Sequence, residues 1–523
     1  MCEVQNDLTK LFQSADESNV PEKFPIEGKL PQWLSGSVVR IGPGLFDFEN
    51  FSMRHYLDGY AILSKFEISK DYVTFQKKFL QSDSYKRAIR AQKPVVIEFG
   101  TKAYPEKGKS LLSRFMSTII PEMSDNNNCN IFEFEQELYA ANDACFFRKI
   151  DHKSLESGER YDSNKLFGLN GWTSHPLTDA QGNMYNIGFS ILSGLKFYLV
   201  KIHPSSASQK NAKETFKNAK VLCTIPSSFH AGISFTHSFG MSENYFCFVE
   251  QPFVAAVSAI AKALVKGYSA KEWMEWRPKE KNRFHIIEKA TGKVIKIEYF
   301  SSEPFFFLHF VNCFENSNNQ IVADIIAFND PTILDGMYLS KLRNNIVENV
   351  SQPTCRRFVI PLSIPKGGRE GSNVLGNSPA KAVRYGDSKL ILTPQILTEP
   401  GCGLSCINHN FATKNYQYFY VSGTIAQNSF SHSISKFDII RQHRSVWRGN
   451  TGSYPGPPIF IANPSSQNED DGIIVSLVYD IRKQSKDFLV FIDANKMVEV
   501  ARVEFDSHVN IPGALHEIFI PSN

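Results

Sequence analysis

Short runs in which apolar and polar residues alternate recur along this chain, and each is closed by Gly, Asn or Asp. Ser37–Ile41, Asn183–Ile187, Tyr245–Val249, Gln320–Ile326, Tyr416–Val421, Gly472–Tyr479 and Asp487–Ile492 all follow this pattern. A period of two places apolar side chains on one face of an extended segment, so the runs are expected to be strands separated by turns. Many short strands with few long helical periods point to an all-β sandwich, barrel or propeller, and no repeat signature chooses among these.

Two segments break the pattern. Residues 254–266 carry Val254, Val257, Ile260, Ala261, Leu264 and Val265 at helical spacing, with Lys262 and Lys266 on the other face. Residues 109–121 are similar but shorter. Neither reaches the roughly 18 to 20 apolar residues that a bilayer span requires. A cationic amphipathic helix can instead lie in a membrane interface, and residues 109–121 and 253–266 are expected to do so; the plain alternative is a cap helix on a β body.

Composition adds bounds. The chain has 523 residues, 42% of them hydrophobic and 21% charged, which suffices for a large core and is compatible with one all-β domain over residues 1–523. A net charge of +4 without a basic stripe interleaved with aromatics argues against nucleic acid as partner. The first residues lack a basic stretch followed by an apolar run, so no secretory signal is read there. Nine scattered cysteines suit reduced thiols, and the expected location is cytoplasmic, peripheral on an internal membrane. Cys402 and Cys406 form the one close pair and read as structural rather than zinc-binding.

Four histidines far apart in the sequence carry the candidate chemistry: His175 in Gly-Trp-Thr-Ser-His-Pro, His237 in Phe-Thr-His-Ser-Phe-Gly, His309 in Phe-Leu-His-Phe-Val-Asn, and His516 in Ala-Leu-His-Glu-Ile-Phe. Imidazole suits iron, zinc, copper or nickel, and four neutral rings leave a divalent ion its charge and open positions. Spacing alone would not single them out, because isolated histidines are ordinarily surface or core residues. Their settings do, together with Gly36-Ser-Val-Val-Arg-Ile-Gly-Pro-Gly-Leu-Phe46, His55-Tyr-Leu-Asp-Gly59, Tyr185-Asn-Ile-Gly188, Phe248-Val-Glu250 and Glu469-Asp-Asp-Gly472.

These segments resemble the carotenoid cleavage oxygenase family, within it the animal branch of β-carotene oxygenases, insect carotenoid isomerooxygenase and the retinoid isomerase. The resemblance runs nearly end to end. It implies a seven-bladed β-propeller with short helices and loops on the substrate-entry face, and Fe(II), or alternatively zinc, held by His175, His237, His309 and His516. The resemblance further implies a lipophilic polyene as partner, O2 as co-substrate, and cleavage of a carotenoid or apocarotenoid double bond to aldehydes. In the family three glutamates accept hydrogen bonds from ligand imidazoles. Their positions fall here on Asp143, Gly403 and Pro457, of which only Asp143 is a carboxylate. Asp143 is expected either to orient a ligand ring or simply to turn the chain before Cys145–Ile150, while Ser405, Cys406 and His409 are alternative partners for the other rings. Loss of such partners leaves open a protein without oxygenase activity: a retinoid or carotenoid isomerase, or a metal- and lipid-binding protein.

A polyene needs aromatic walls. Among 42 Phe and 19 Tyr, Phe235, Phe307 and Phe328 lie beside the ligand motifs and are the expected lining residues, although most phenylalanines in any such chain are core. The pre-helix stretch Pro105-Glu-Lys-Gly-Lys109 lacks the cysteine found there in the retinoid isomerase and its relatives.

Overall fold

The computed structural model describes residues 8–18, 20–106, 122–191, 194–205, 212–346, 350–423 and 431–522. All seven predicted runs coincide with strands, Gly36–Leu45, Met184–Ser190, Tyr245–Glu250, Gln320–Phe328, Tyr418–Gly423, Gly472–Asp480 and Phe488–Asp493, with Asn183, Tyr416, Gln417 and Asp487 lying just before the strands they were assigned to. Several of these strands are buried on both faces, as in Gln320–Phe328 and Gly472–Asp480, because neighbouring sheets cover both sides. Among the described residues seven sheets have four to six strands, nearly all antiparallel, and successive sheets use successive stretches of chain.

Packing between the sheets shows how they are ordered. Val39, Ile41 and Leu63 of the first sheet bury against Ile131, Leu138 and Ala140 of the second. Phe132, Tyr139 and Phe147 of the second then meet Trp172, Met184 and Val200 of the third. Comparable apolar clusters follow at each later boundary. Finally Ile473, Leu477, Leu489 and Phe491 of the last sheet bury against Val38, Phe66 and Phe75 of the first. The cores therefore run in a closed circle, which is a β-propeller.

Closure depends on two strands from opposite ends of the sequence. The opening strand Gly36–Leu45 pairs antiparallel with the closing strand His516–Pro521, in a register that sets Arg40 opposite Glu517 and Ile41 opposite His516. The two backbones come so close that a Cβ on Gly42 would stand 2.4 Å from the Gly513 carbonyl oxygen. Glycine is the residue that permits this approach.

The predicted helix over 254–266 is shorter than its pattern. Phe253–Ala256 is a strand paired with Gly232–Ser234, and the helix spans Val257–Lys266. Val254 is fully buried in that pairing, so tertiary contact overrides its helical spacing. The other predicted helix, residues 109–121, lies outside the described residues. Among the described residues no helix is long and apolar enough to cross a membrane. The Cys402 and Cys406 thiols are free, as expected.

Phe66 is fully buried in the core between the first and last sheets and stacks on Phe75 at 4.9 Å. Phe66→Ala is expected to lower unfolding stability by about 3 to 5 kcal/mol, the usual range for a large cavity in a close-packed core. Chemical denaturation followed by tryptophan fluorescence measures it; a loss under about 1 kcal/mol would mean that this boundary does not hold the ring together.

Candidate metal centre

The four histidines converge from four parts of the ring. His175 follows the short strand Gly171–Trp172, and His237 sits between Gly232–Ser234 and Gly240–Met241. His309 lies within Phe306–Asn316 at an irregularity where the pairing skips between Phe307 and His309, the kind of bulge that re-aims a side chain. His516 begins the closing strand. Their nearest ring nitrogens all lie within 4.8 Å of one another. The His175 and His237 Nε2 atoms are 3.1 Å apart, and ring centroids are separated by 4.5 Å for His175 and His516 and 4.8 Å for His237 and His309.

This spacing fits a cation. Metal to imidazole bonds near 2.1 Å put adjacent ligand nitrogens roughly 3 Å apart, as the two Nε2 atoms are. Lone pairs aimed at one another across that distance repel, so a positive charge between them is the natural complement. Three of the rings are also held in the neutral form. Burial holds His175 and His309 well below the usual histidine range, reinforced by the neighbouring imidazoles, and brings His516 down to about 3. Neutral imidazole is the form that binds a metal.

Asp143 fixes one ligand. Its Oδ2 accepts from His237 Nδ1 at 2.5 Å, which leaves Nε2 as the lone-pair atom facing the cluster. The Ser174 backbone N–H and Oγ–H both donate to Asp143 Oδ1, at 2.9 and 2.8 Å. Asp143 thus occupies the loop before Phe146–Ile150 and orients a ligand from there, so both expectations for it meet in one residue. Cys129 stands beside the same pair, but the direct contact between His237 and Asp143 leaves no room for a second metal between them. Asn130 is a partner that sequence reasoning missed. Its amide Nδ2 lies 3.2 Å from His175 Nδ1 and also donates to the Ser174 carbonyl at 2.8 Å, which holds it beside the ring. Nothing in the local pattern of Asn130 marks it; only the second sheet's geometry brings it there.

Positions 403 and 457 behave as their residue types require. Gly403 is in the strand Cys402–Cys406, where a Cβ would meet the Ser422 and Gly423 carbonyl oxygens at 2.9 and 3.0 Å, so a longer side chain would have to displace the adjoining backbone. Pro457 precedes Ile459–Ala462 and has no polar side chain. Among the described residues neither the His309 nor the His516 ring hydrogen-bonds to Ser405, Cys406 or His409.

Aromatic residues stand beside the cluster. Phe235 stacks over His237 at 6.3 Å, and Phe253, Phe306 and Phe328 gather with it. Phe235 thus faces a cluster ring, and Phe328 packs with Phe306 in the same aromatic group. Phe307 is not part of it: strand alternation turns it to the opposite face, where it packs with Phe305 and Phe310 in the core between two sheets, and Phe306 joins the group instead.

A closed propeller with four convergent histidines defines a class of metal-binding scaffold. Residues 11–521 match the family model described as retinal pigment epithelial membrane protein, and the chain belongs to that family, the carotenoid oxygenases. It is 34% identical to rat beta,beta-carotene 15,15'-dioxygenase over 96% of this chain and 89% of that relative. It is 32% identical to the mitochondrial carotenoid-cleaving dioxygenase of Mustela putorius furo, over 98% and 96% of the two chains. Among solved structures, a glutamate-to-aspartate variant of Synechocystis apocarotenoid oxygenase superposes with a TM-score of 0.76 at 19% identity, covering 99% of this chain and 98% of that one. The cobalt-substituted form of the same oxygenase gives 0.77 over 99% of each chain.

Removing the Asp143 carboxylate with Asp143→Ala frees the His237 ring. Metal affinity, measured by titrating cobalt(II) into metal-free protein, is expected to fall about ten- to a hundredfold. The depressed histidines also set a pH dependence. Unfolding restores His516 from about 3 to an ordinary value near 6.5, so the unfolded chain binds more protons and stability is lost as pH falls through this window. Thermal unfolding of metal-free protein from pH 7 to pH 4 should therefore show a falling Tm, and His516→Gln should flatten that fall; an unchanged slope would contradict a buried neutral His516.

Proposed function

We propose that this chain is an iron(II)-dependent dioxygenase that splits one double bond of a carotenoid or apocarotenoid, with one oxygen molecule supplying the oxygen atoms of two aldehyde products. The convergence of four imidazole nitrogens carries the reading. His175, His237, His309 and His516 would hold the ion, which when bound supplies oxygen activation and a template for the polyene.

The chain's own residues supply the rest. Asp143 keeps His237 in the ligating tautomer, and Ser174 holds Asp143. Phe235, Phe253, Phe306 and Phe328 form an apolar wall that excludes water and gives a polyene its contact area without polar groups to satisfy. A lipophilic substrate is best collected from a membrane surface, and residues 109–121 and 257–266 are the proposed contact, from a cytoplasmic position peripheral to an internal membrane. Val257, 43% exposed at the start of the helix Val257–Lys266, supports that role. The relatives named as dioxygenases acting on carotenoids support the substrate class and the use of O2.

One observation favours a second reading. Gly403 and Pro457 leave His309 and His516 without a carboxylate from those positions, and such partners tune metal affinity and activity. A protein with this change could isomerise a retinoid or carotenoid without oxygen, or hold zinc and a lipid without turnover.

Metal analysis of protein from iron-supplemented culture, with His309→Ala as control, separates the readings when the same sample is then assayed with β-carotene and an apocarotenoid under O2. Near-stoichiometric iron that is lost in the control, with aldehyde products and O2 uptake, is the expected result. Isomerised polyene without O2 uptake, or zinc without product, would replace the oxygenase reading with the second.

A further inference from the structure

Arg40 and Glu517 form a buried ion pair one step from the metal ligand His516. They face each other across the opening and closing strands, on the rung next to that of Ile41 and His516. Arg40 Nε donates to Glu517 Oε2 at 3.0 Å, with side chains only 1% and 5% exposed. Arg40 Nη2 donates to the Tyr479 hydroxyl at 3.1 Å, and Tyr479 donates to the Pro512 carbonyl at 2.9 Å. Two atoms of this network are left over. Arg40 Nη1 and Glu517 Oε1 are buried and have no protein partner. Burying an ion pair is rarely stabilising in itself, and a leftover donor and acceptor raise its cost further, so its retention calls for a use.

The surroundings indicate which. The chain passes at Gly456, beside Pro457, close enough that a Cβ there would lie 3.9 Å from Arg40 Nη2. The guanidinium therefore reaches the very segment that lacks a carboxylate, and Glu517 supplies one from the closing strand instead. Alternation along that strand sends the Glu517 side chain to the face opposite that of His516, so it acts through the strand backbone rather than as a ligand. Among the described residues His516 has no hydrogen-bonded partner of its own, whereas His237 has Asp143.

We infer that Glu517, held by Arg40, is a positioning residue of the metal centre: the pair fixes the closing strand at the rung beside His516 and provides the buried carboxylate that positions 403 and 457 do not. The inference rests on the four-histidine metal reading but not on oxygenase activity.

Cobalt(II) titration of metal-free protein tests it, read by the visible ligand-field bands and by affinity, with thermal unfolding alongside. Three variants are compared with the wild type: Glu517→Gln, Glu517→Asp, and the double variant Arg40→Met with Glu517→Leu, which replaces the pair by apolar groups of similar size and guards against loss of folding in the single variant. The double variant is expected to keep a wild-type Tm yet bind cobalt ten- to a hundredfold more weakly with shifted bands, and Glu517→Asp to recover part of the affinity. A double variant with wild-type affinity and bands would overturn the inference and leave the pair a structural staple. Wild-type protein that binds no more cobalt than His309→Ala would overturn the metal reading, and this inference with it.

Discussion

The ladder between Gly36–Ile41 and His516–Pro521 is the constraint on which everything else depends. A propeller core is a circle of sheet-to-sheet contacts, and a circle with one open boundary leaves two apolar sheet faces in water. Pairing the two ends of the sequence closes that boundary, buries Val38, Val39 and Ile41 from both sides, and in the same act carries His516 to the three histidines waiting on other sheets. Stability and metal binding are consequently not separable properties here. What holds the ring shut also completes the ligand set.

The centre itself is built from opposed requirements. Ligand imidazoles must be neutral and dry, which burial achieves, yet each must also present a chosen nitrogen, which needs a polar partner on its far side. His237 satisfies both through Asp143, and His175 has the Asn130 amide. His309 and His516 are dry but are held by strand geometry: a bulge for one, a cross-strand rung beside a buried ion pair for the other. Carboxylate contact and backbone rigidity thus share the task of aiming four rings at one point.

Much of this was legible in the residues. Short apolar runs closed by Gly, Asn or Asp marked the strands, and burial between two sheets fills several of them almost end to end, as in Gly472–Asp480. The histidines were recognisable from their flanking motifs, though no spacing rule could have joined them, since ring closure and not local periodicity sets their distances. Asp143 was marked as an acid in a suggestive place, but its bond to His237 spans 94 residues and is a product of assembly. The errors are of one kind. Phe307 was chosen over Phe306 because proximity to His309 in sequence says nothing about which face of the bulged strand a side chain takes, and residues 254–256 read as helix because three small apolar residues satisfy a helical stripe as well as a buried strand. Asn130 and Arg40 were missed since their roles exist only once distant sheets meet.

Arg40 and Glu517 are 477 residues apart in sequence yet form one rung of a ladder. During synthesis at about 5 to 20 residues per second, the opening strand must wait on the order of half a minute or more before its partner is made. For that interval its hydrogen-bonding edge and the apolar face of the first sheet that will meet the last are exposed, which is the condition under which strands pair with the wrong neighbour. The four-histidine set is likewise incomplete until His516 is made, so the full cluster forms only with the closing strand.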